Sequence, residues 1–375
     1  MSQKNIPYGF QTIENDDIDA VGNVLKSDLL TTGPKVAEFE TALSNYVNAN
    51  YAIVANSGTS ALDMAVAALG LKPNSEIITT PFTFVASSNC ILYNNCKPIF
   101  ADINKETYNI DTDQIRKKIT KKTKAIVYVD YAGQPCEIDE LKKIAQDNDL
   151  FLIEDACHAF GAEYKGKRIG SLADMTIFSF HPVKHITTGE GGAVTTNNDE
   201  FYKKLKLLRN HGIDKPPSER ADYSYDVKML GRNYRITDFQ CALGISQLKK
   251  IDRFLKRREE IAKRYKEELV NTDKLTIPYV MPNVKHAWHL YPIMVDKKIN
   301  RDTIFTSMRQ KGIGVNVHYI PIYKFSHYKQ FGFIEKNYPT TEDIFSRILS
   351  IPIYPKMTDQ DVDTVIREIS NSLRG

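Results

Sequence analysis

The sequence predicts an α/β fold, with a large domain built on a mostly parallel sheet and a smaller α/β domain at the C-terminus. Over the first two thirds of the 375 residues, short apolar runs alternate with amphipathic stretches, an order typical of a parallel sheet covered by helices. After about residue 236 the pattern becomes mainly helical. A chain of this length can bury two cores. We therefore expect a large domain over residues 1–245, including an N-terminal arm, and a small domain over residues 246–375.

Seven apolar runs of strand length predict the sheet of the large domain. They are Tyr51–Ala55, Glu76–Thr80, Pro98–Ile103, Ala125–Asp130, Phe151–Glu154, Met175–Phe180 and Gly192–Thr196. Amphipathic stretches between them predict helices. These are Thr59–Leu69, Val85–Asn94, Asp111–Ile119, Glu137–Asp147 and Asp199–Arg209. Ligands of such sheets bind beyond the carboxyl ends of the strands, so we expect the functional site there.

The last third of the chain predicts a helical connection followed by the small domain. Apolar residues at helical spacing predict one long helix from Ile236 to Leu269. Strands are expected at His289–Val295 and Val315–Tyr319, and a final helix at Asp359–Leu373. The segment Asp214–Ser224 predicts a mobile loop, because its paired prolines and charges do not pack regularly.

Composition excludes several classes of protein. The net charge of +4, from 50 basic and 46 acidic side chains, is too small for a nucleic-acid surface but suits a small anionic ligand. The five cysteines are odd in number and show no CxxC spacing, which argues against a disulfide framework or a zinc site. The N-terminus has no signal pattern, and no apolar run approaches the ~20 residues of a membrane span. We expect a cytoplasmic protein without metal or membrane partner.

Two polar motifs follow predicted strands. In FLIEDACH (151–158) an apolar strand ends in two acids, which places Asp155 at the mouth of the sheet. In FSFHPVKHITTGEGGAV (178–194) a strand leads into a loop that contains Lys184. A lone lysine is usually a solvated surface residue. Lys184 differs because small and apolar residues surround it and glycines follow, which permit close approach of a ligand.

A third motif, ANSGTSAL (55–62), lies between a strand and a helix. Its hydroxyl residues and the helix N-terminus predict a phosphate cradle. The alternative is an ordinary helix cap by Ser57 or Thr59. The chain contains no GxxxxGK[ST] motif, and GEGGAV precedes its strand and lacks the last glycine of the dinucleotide fingerprint.

Together the three motifs meet the needs of pyridoxal 5′-phosphate (PLP). This cofactor requires an amine, an acid facing its ring nitrogen, a phosphate cradle and a flat apolar cover. Phe84, in the TTPFTFVAS loop, is the candidate for the cover, although alone it would be assigned to the core. The other candidates are Lys184 for the amine, Asp155 for the acid, and Ser179, Thr59 and Ser60 for the phosphate.

These motifs resemble those of the DegT/DnrJ/EryC1/StrS family of sugar aminotransferases, which have the PLP-dependent transferase fold type I. The resemblance covers nearly the whole chain, from LTTGPKVAEFE through GRNYRITDFQCALGISQL to HLYPI and VHYIPIY. It implies that Lys184 binds PLP as a Schiff base, that Asp155 pairs with the ring nitrogen and that His158 packs by the ring. It also implies phosphate contacts from Ser179, Thr59 and Ser60.

The resemblance further implies a homodimer with shared active sites. In the family, the asparagine of GRNYR, here Asn233, reaches the phosphate bound by the neighbouring subunit. Two of the implied roles have simpler alternatives, since Asn233 can be a turn residue and His158 a core histidine. His318, Tyr319 and Tyr323 are candidates for sugar or nucleotide contacts or, equally, for packing of the small domain. Arg232 and Arg235 are candidates for binding a glutamate carboxylate or the UDP diphosphate, and Tyr131 is a further substrate candidate.

The residue at the cofactor-linking position predicts the type of reaction. Ketosugar dehydratases of the family carry histidine there, whereas this chain has Lys184 followed by His185. The resemblance therefore implies an aminotransferase and not a dehydratase. SFHPVKHITTGEGG, VDYAG, HLYPI and VHYIPIY are most similar to the pseudaminic acid subgroup. That similarity implies transfer of an amino group from L-glutamate to C4 of a UDP-4-keto-6-deoxy-N-acetylhexosamine, giving UDP-4-amino-4,6-dideoxy-N-acetyl-β-L-altrosamine. The alternatives are a perosamine-type or bacillosamine-type aminotransferase and, from another class, a non-catalytic regulator on the same fold.

Overall fold

The computed structural model describes residues 5–215 and 220–374. The helices are α1 (Asn15–Leu25), α2 (Pro34–Val47), α3 (Gly58–Ala68), α4 (Ala86–Tyr93), α5 (Thr112–Lys118), α6 (Ile138–Asn148), α7 (Asp199–Arg209), α8 (Asp238–Leu248), α9 (Ile251–Leu269), α10 (Arg301–Gln310), α11 (Ser326–Lys329), α12 (Pro339–Arg347) and α13 (Asp359–Arg374). The strands are β1 (Tyr51–Ala55), β2 (Glu76–Thr79), β3 (Lys97–Phe100), β4 (Thr123–Val129), β5 (Phe151–Asp155), β6 (Glu163–Tyr164), β7 (Lys167–Arg168), β8 (Met175–Ser179), β9 (Gly192–Thr196), β10 (Leu275–Thr276), β11 (Val284–Lys285), β12 (Tyr291–Val295) and β13 (Ile348–Ile351). The predicted loop Asp214–Ser224 includes residues 216–219, which lie outside the described residues.

The central sheet has seven strands in the order β1-β9-β8-β5-β4-β2-β3. From β8 to β3 all neighbours are parallel, whereas β9 is antiparallel to both β1 and β8. This confirms the predicted α/β class with a mostly parallel sheet. The parallel strands end at one edge, and Asp155 at the end of β5 lies beside Val129 of β4 and Ile177 of β8.

Both faces of the central sheet are covered by helices, because successive strand residues point to opposite sides. On one face, α3, α4 and α7 pack on β-strand side chains such as Ile53 and Val127. On the other face, α2 and α8 pack near Val54 and Phe178, and α5 and α6 pack near Tyr128. This burial explains why the strands are almost continuously apolar.

A second sheet, β10-β12-β13, forms a separate core with α9, α10 and α13. Ile6 belongs to this core: its amide donates to Gly312 O at 2.9 Å and its carbonyl accepts from Gly314 N at 2.7 Å. Part of the N-terminal arm therefore packs with the small sheet. The predicted division at residues 245/246 stays a prediction.

Two of the predicted elements were wrong. The helix expected over 236–269 is two helices, α8 and α9, with a break at Lys249–Lys250. The apolar pattern continues across the break because both helices bury a face, so spacing alone did not reveal it. The expected strand Val315–Tyr319 makes only an isolated β-bridge, Asn316 to Ser350. The strands that pair with β12 are β10 and β13.

Candidate active site

A cavity of about 980 Å³ opens at the carboxyl ends of the parallel strands. The segments that follow β1, β2, β5 and β8 line it, together with part of the C-terminal third. These segments contribute residues 56–60, 83–87, 155, 157–158, 179, 181, 183–184 and 316–320. The three sequence motifs therefore converge on one cavity, although they are far apart in the sequence.

Asp155 ends β5 and is 4% exposed. Its Oδ2 atom accepts a hydrogen bond from Ser87 Oγ at 2.6 Å, and Oδ1 accepts from the amide of Cys157 at 3.2 Å. These two donors fix the orientation of a buried carboxylate at the cavity. Ser87 was not predicted; the only signal for it was its position in the polar loop after β2.

Lys184 lies in the loop between β8 and β9 and is half-buried. Its Nζ atom is 3.5 Å from Nε2 of His289, and no carboxylate forms an ion pair with it among the residues that the structure describes. Burial lowers the pKa of Lys184, and the charge of Arg258 lowers it further, whereas Cys157 and Asp155 oppose this effect. A larger share of this amine is therefore neutral and nucleophilic than for a surface lysine.

The N-terminus of α3 packs closely against the ends of β8 and β9. Ser57 caps the helix by accepting from the amide of Ser60 at 3.1 Å, so the ordinary capping role is present. Ser60 Oγ donates to Asn56 Oδ1 at 2.6 Å. A Cβ added to Gly58 would lie 3.0 Å from Cβ of Ser179. Thr59, Ser60 and Ser179 all line the cavity, which puts hydroxyl groups beside a helix N-terminus, as an anion site requires.

Aromatic side chains form another wall of the cavity. Phe84 is 57% exposed although it lines the cavity, so it belongs to no core cluster among the described residues. His158 is buried; its Nε2 atom is 3.0 Å from the hydroxyl of Tyr319, and its ring lies 4.4 Å from that of His289. Burial lowers the pKa of His158, with smaller contributions from Lys184 and the neighbouring histidines, so its imidazole is neutral.

The structure does not bring every predicted residue to the cavity. His318 and Tyr319 line it, but Tyr131, Arg232 and Tyr323 do not. The Tyr131 hydroxyl donates to His318 O at 2.6 Å, and the Tyr323 hydroxyl donates to Glu342 at 2.6 Å. The guanidinium of Arg232 pairs with the buried Asp63 at 3.3 Å.

Asn233 is exposed and lies outside the cavity of its own chain, where its backbone forms an isolated antiparallel β-bridge with Asn210. By contrast, His289, Tyr8 and Asn316 line the cavity and were not predicted. Of these, only His289 belonged to a motif that had been noted, HLYPI. Over the described residues no helix is long and apolar enough to cross a membrane, and no group of three or more potential ligands is arranged for a metal ion.

Comparisons with known proteins agree over nearly the whole chain. A family model described as the DegT/DnrJ/EryC1/StrS aminotransferase family matches residues 11–370. The uncharacterized protein MJ1066 of Methanocaldococcus jannaschii is 47% identical over 365 residues, 95% of each chain. The UDP-4-amino-4,6-dideoxy-N-acetyl-beta-L-altrosamine transaminase of Campylobacter jejuni is 43% identical over 365 residues, which cover 96% of this chain and 95% of its own.

Solved structures give the same result for the fold. Helicobacter pylori PseC, described as an aminotransferase involved in the biosynthesis of pseudoaminic acid, has a TM-score of 0.94 at 35% identity. The match covers 99% of this chain and all of PseC. Spr1654 of Streptococcus pneumoniae, described as a sugar aminotransferase in its PLP form, has a TM-score of 0.94 at 31% identity and 99% coverage of both chains. The predicted fold type is confirmed.

Proposed function

The chain belongs to the DegT/DnrJ/EryC1/StrS aminotransferase family, and we propose that it is a PLP-dependent aminotransferase acting on a nucleotide-linked ketosugar. The observation that carries this proposal is the meeting of Lys184, Asp155 and the α3 N-terminus in one cavity. A lysine amine with a lowered pKa, a fixed carboxylate and an anion cradle are groups that PLP needs from a protein. Both the likeness to Spr1654 in its PLP form and the cavity residues support this cofactor.

The residues of the cavity fit the parts of the cofactor one by one. When bound, PLP supplies an electron-accepting ring that allows an amino group to leave one substrate and join another. Lys184 would link the cofactor covalently and, once released, move the proton at the reacting carbon. Asp155, held by Ser87, would keep the ring nitrogen protonated. Thr59, Ser60 and Ser179 would bind the phosphate, while Phe84 and His158 would enclose the ring.

For the substrates, we propose L-glutamate as amino donor and a UDP-4-keto-6-deoxy-N-acetylhexosamine as acceptor, aminated at C4. The product would be UDP-4-amino-4,6-dideoxy-N-acetyl-β-L-altrosamine, the compound named for the C. jejuni relative. The likeness to PseC supports the same reaction. His318 and Tyr319 are the candidate sugar contacts at the cavity. A perosamine-type or bacillosamine-type acceptor is the second candidate, because a few pocket residues decide the choice of sugar.

Absorbance spectroscopy of the purified protein tests both half-reactions. With PLP, a band from the lysine-bound cofactor should form; L-glutamate should replace it with the band of the aminated cofactor, and the UDP-4-ketosugar should restore it. Lys184→Ala should still bind part of the PLP but show neither change nor transamination. Normal turnover by this variant would refute the assignment of Lys184. A panel of UDP-, GDP- and dTDP-ketosugars then decides between the acceptor classes.

We also propose a homodimer with shared active sites. Large apolar side chains exposed in two short segments support it, because subunit interfaces often cover such groups. They are Leu25, Leu29 and Leu30 in one segment and Tyr225, Val227 and Leu230 in the other, the last 84% exposed. The placement of Asn233 outside the cavity of its own chain agrees with a role in the partner's site. Mixing Lys184→Ala and Asn233→Ala chains provides the test. In mixed dimers one site would hold both native residues and regain activity, whereas a role within one chain predicts no regain.

The biosynthetic role proposed for the enzyme fits a cytoplasmic location, where nucleotide sugars would be its substrates. The five cysteines are all free, which supports a reducing compartment. Fractionation of cells that express the protein at its native level tests this location.

A further inference from the structure

The Lys184 amine lies within hydrogen-bonding distance of a side chain to which neither its motif nor the proposed function gives a role. His289 Nε2 lies 3.5 Å from Lys184 Nζ, across 105 positions of sequence. The imidazole is 4% exposed and lines the cavity. Its Nδ1 atom is buried and has no hydrogen-bond partner among the described residues. Burying an unpaired ring nitrogen is costly, so the placement of this histidine needs a reason.

The backbone around His289 is held from two sides. The buried Arg258 donates from Nη1 to the carbonyls of Trp288 at 3.0 Å and His289 at 3.3 Å. From the other side, the amide of Leu290 donates to Ala132 O at 3.2 Å. Gly133, at φ +106°, comes so close that an added Cβ would lie 3.1 Å from the His289 amide. The ring therefore faces Lys184 from a rigid segment.

The charges around this pair keep the imidazole neutral. Burial lowers the pKa of His289, and Lys184, His158, His185 and Arg258 each lower it further. Lys184 itself faces Asp155 and Cys157, which raise its pKa, as well as Arg258, which lowers it. A neutral imidazole next to an amine can accept a hydrogen bond from it in both charge states of the amine, and more strongly from the ammonium.

We propose that His289 is a positioning residue for Lys184: its Nε2 atom accepts a hydrogen bond from Nζ and holds the amine in place when it is released from the cofactor. The proposal rests on the proposed function, in which Lys184 links the cofactor and afterwards carries a proton. In that released state the ammonium has no carboxylate partner among the described residues, so the imidazole supplies the acceptor. No proton leaves Lys184 for His289; the imidazole stays neutral throughout.

The reactivity of Lys184 in the cofactor-free protein measures this contact without catalysis. Trace acetylation with acetic anhydride over a range of pH, read by mass spectrometry of the Lys184 peptide, gives the midpoint at which the amine becomes neutral. His289→Leu removes the acceptor and destabilises the ammonium, so the midpoint should fall by roughly one pH unit, a tenfold change in the acid dissociation constant. His289→Gln keeps an acceptor at about the same reach, and its midpoint should stay near that of the native protein.

Two further variants guard against indirect effects. His286→Leu disturbs the same segment, because His286 Nδ1 accepts from the Trp288 amide at 2.8 Å, yet it does not touch Lys184; its midpoint should be unchanged. If His289→Leu does not fold, His289→Asn, whose shorter side chain does not reach Nζ, replaces it and should show the same fall. Equal midpoints in all variants, or an equal fall for His289→Gln and His289→Leu, would overturn the proposal. Failure of PLP to protect native Lys184 from acetylation would instead refute the proposed function.

Discussion

Replacing Gly192 with alanine should weaken cofactor binding by displacing the backbone at the start of α3. Gly192 begins β9 and lies between Ala55 of β1 and Ser179 of β8. An added Cβ would lie 2.5 Å from the carbonyl oxygen of Ser57 and 2.6 Å from the amide of Gly58, where ordinary contacts begin at 3.4 Å. The start of α3 must therefore move by about 0.9 Å. Overpacking of this kind costs about 1–3 kcal/mol of folding free energy.

The same shift should weaken binding of the phosphate group at the α3 N-terminus. Losing about one charge-assisted hydrogen bond costs about 1.5–3 kcal/mol, which corresponds to a roughly ten- to hundredfold higher Kd. Pyridoxamine 5′-phosphate is the suitable probe, since it has no aldehyde and cannot link to Lys184; its Kd can be measured by calorimetry.

Gly22→Ala is the matched control, because nothing lies within 4 Å of its added Cβ and it sits inside α1. It should leave the Kd unchanged and stabilise the fold by up to about 1 kcal/mol. A native Kd for Gly192→Ala would refute this account of the cradle.

Two further predictions concern groups buried behind the site. Burial raises the pKa of Glu154 to about 7, from 4.5 in the unfolded chain, and burial raises that of the adjacent Asp130 as well. Folding therefore favours the protonated acids, so their contribution to the free energy of unfolding is full below about pH 4.5 and is lost as the pH rises through about 7. In urea unfolding, the free energy of unfolding of Glu154→Gln should depend less on pH between about 5 and 8 than that of the native protein. Equal slopes of that free energy against pH in the two proteins would contradict the argument. Arg258→Met should lower the free energy of unfolding by about 3 kcal/mol, because the carbonyls of Trp288, His289 and Ile353 lose a buried donor. The more exposed Arg257→Met should cost less than about 1 kcal/mol, and a similar urea midpoint for both variants would count against the role of Arg258.

The periodicity of the sequence was sufficient to predict the central sheet, since buried parallel strands are apolar throughout and the helices between them are amphipathic. Asp155, Lys184, Thr59 and Ser179 could be placed at one edge because each follows a strand whose end faces the same side. Contacts between distant segments could not be predicted. The bond from Ser87 to Asp155 spans 68 positions and that from Lys184 to His289 spans 105, and no local pattern encodes either.

Local sequence patterns also gave wrong predictions where packing between distant segments determines the secondary structure. The apolar spacing of residues 236–269 is the same whether one helix or two bury that face, so the break at Lys249–Lys250 left no signal. The stretch Val315–Tyr319 is apolar and aromatic, as a strand would be, but His318 and Tyr319 are turned to the cavity instead of pairing in a sheet. The antiparallel direction of β9 follows from a short return loop, which spacing alone did not distinguish from a crossover.

That reversed strand has a consequence for redesign of the protein. Because β9 runs back beside β8, the loop of residues 180–191 starts and finishes at one ladder pair, Ser179 with Gly192. Lys184 thus lies in a loop whose two ends are fixed by the same strand pair, rather than in a crossover connection between distant strands. An insertion or deletion in this loop would therefore displace the Lys184 amine, since neither end of the loop can move without breaking the pairing between β8 and β9. Loop grafting aimed at new acceptor sugars is therefore better directed to the segment before α11, which contributes residues 316–320 to the cavity, than to this one.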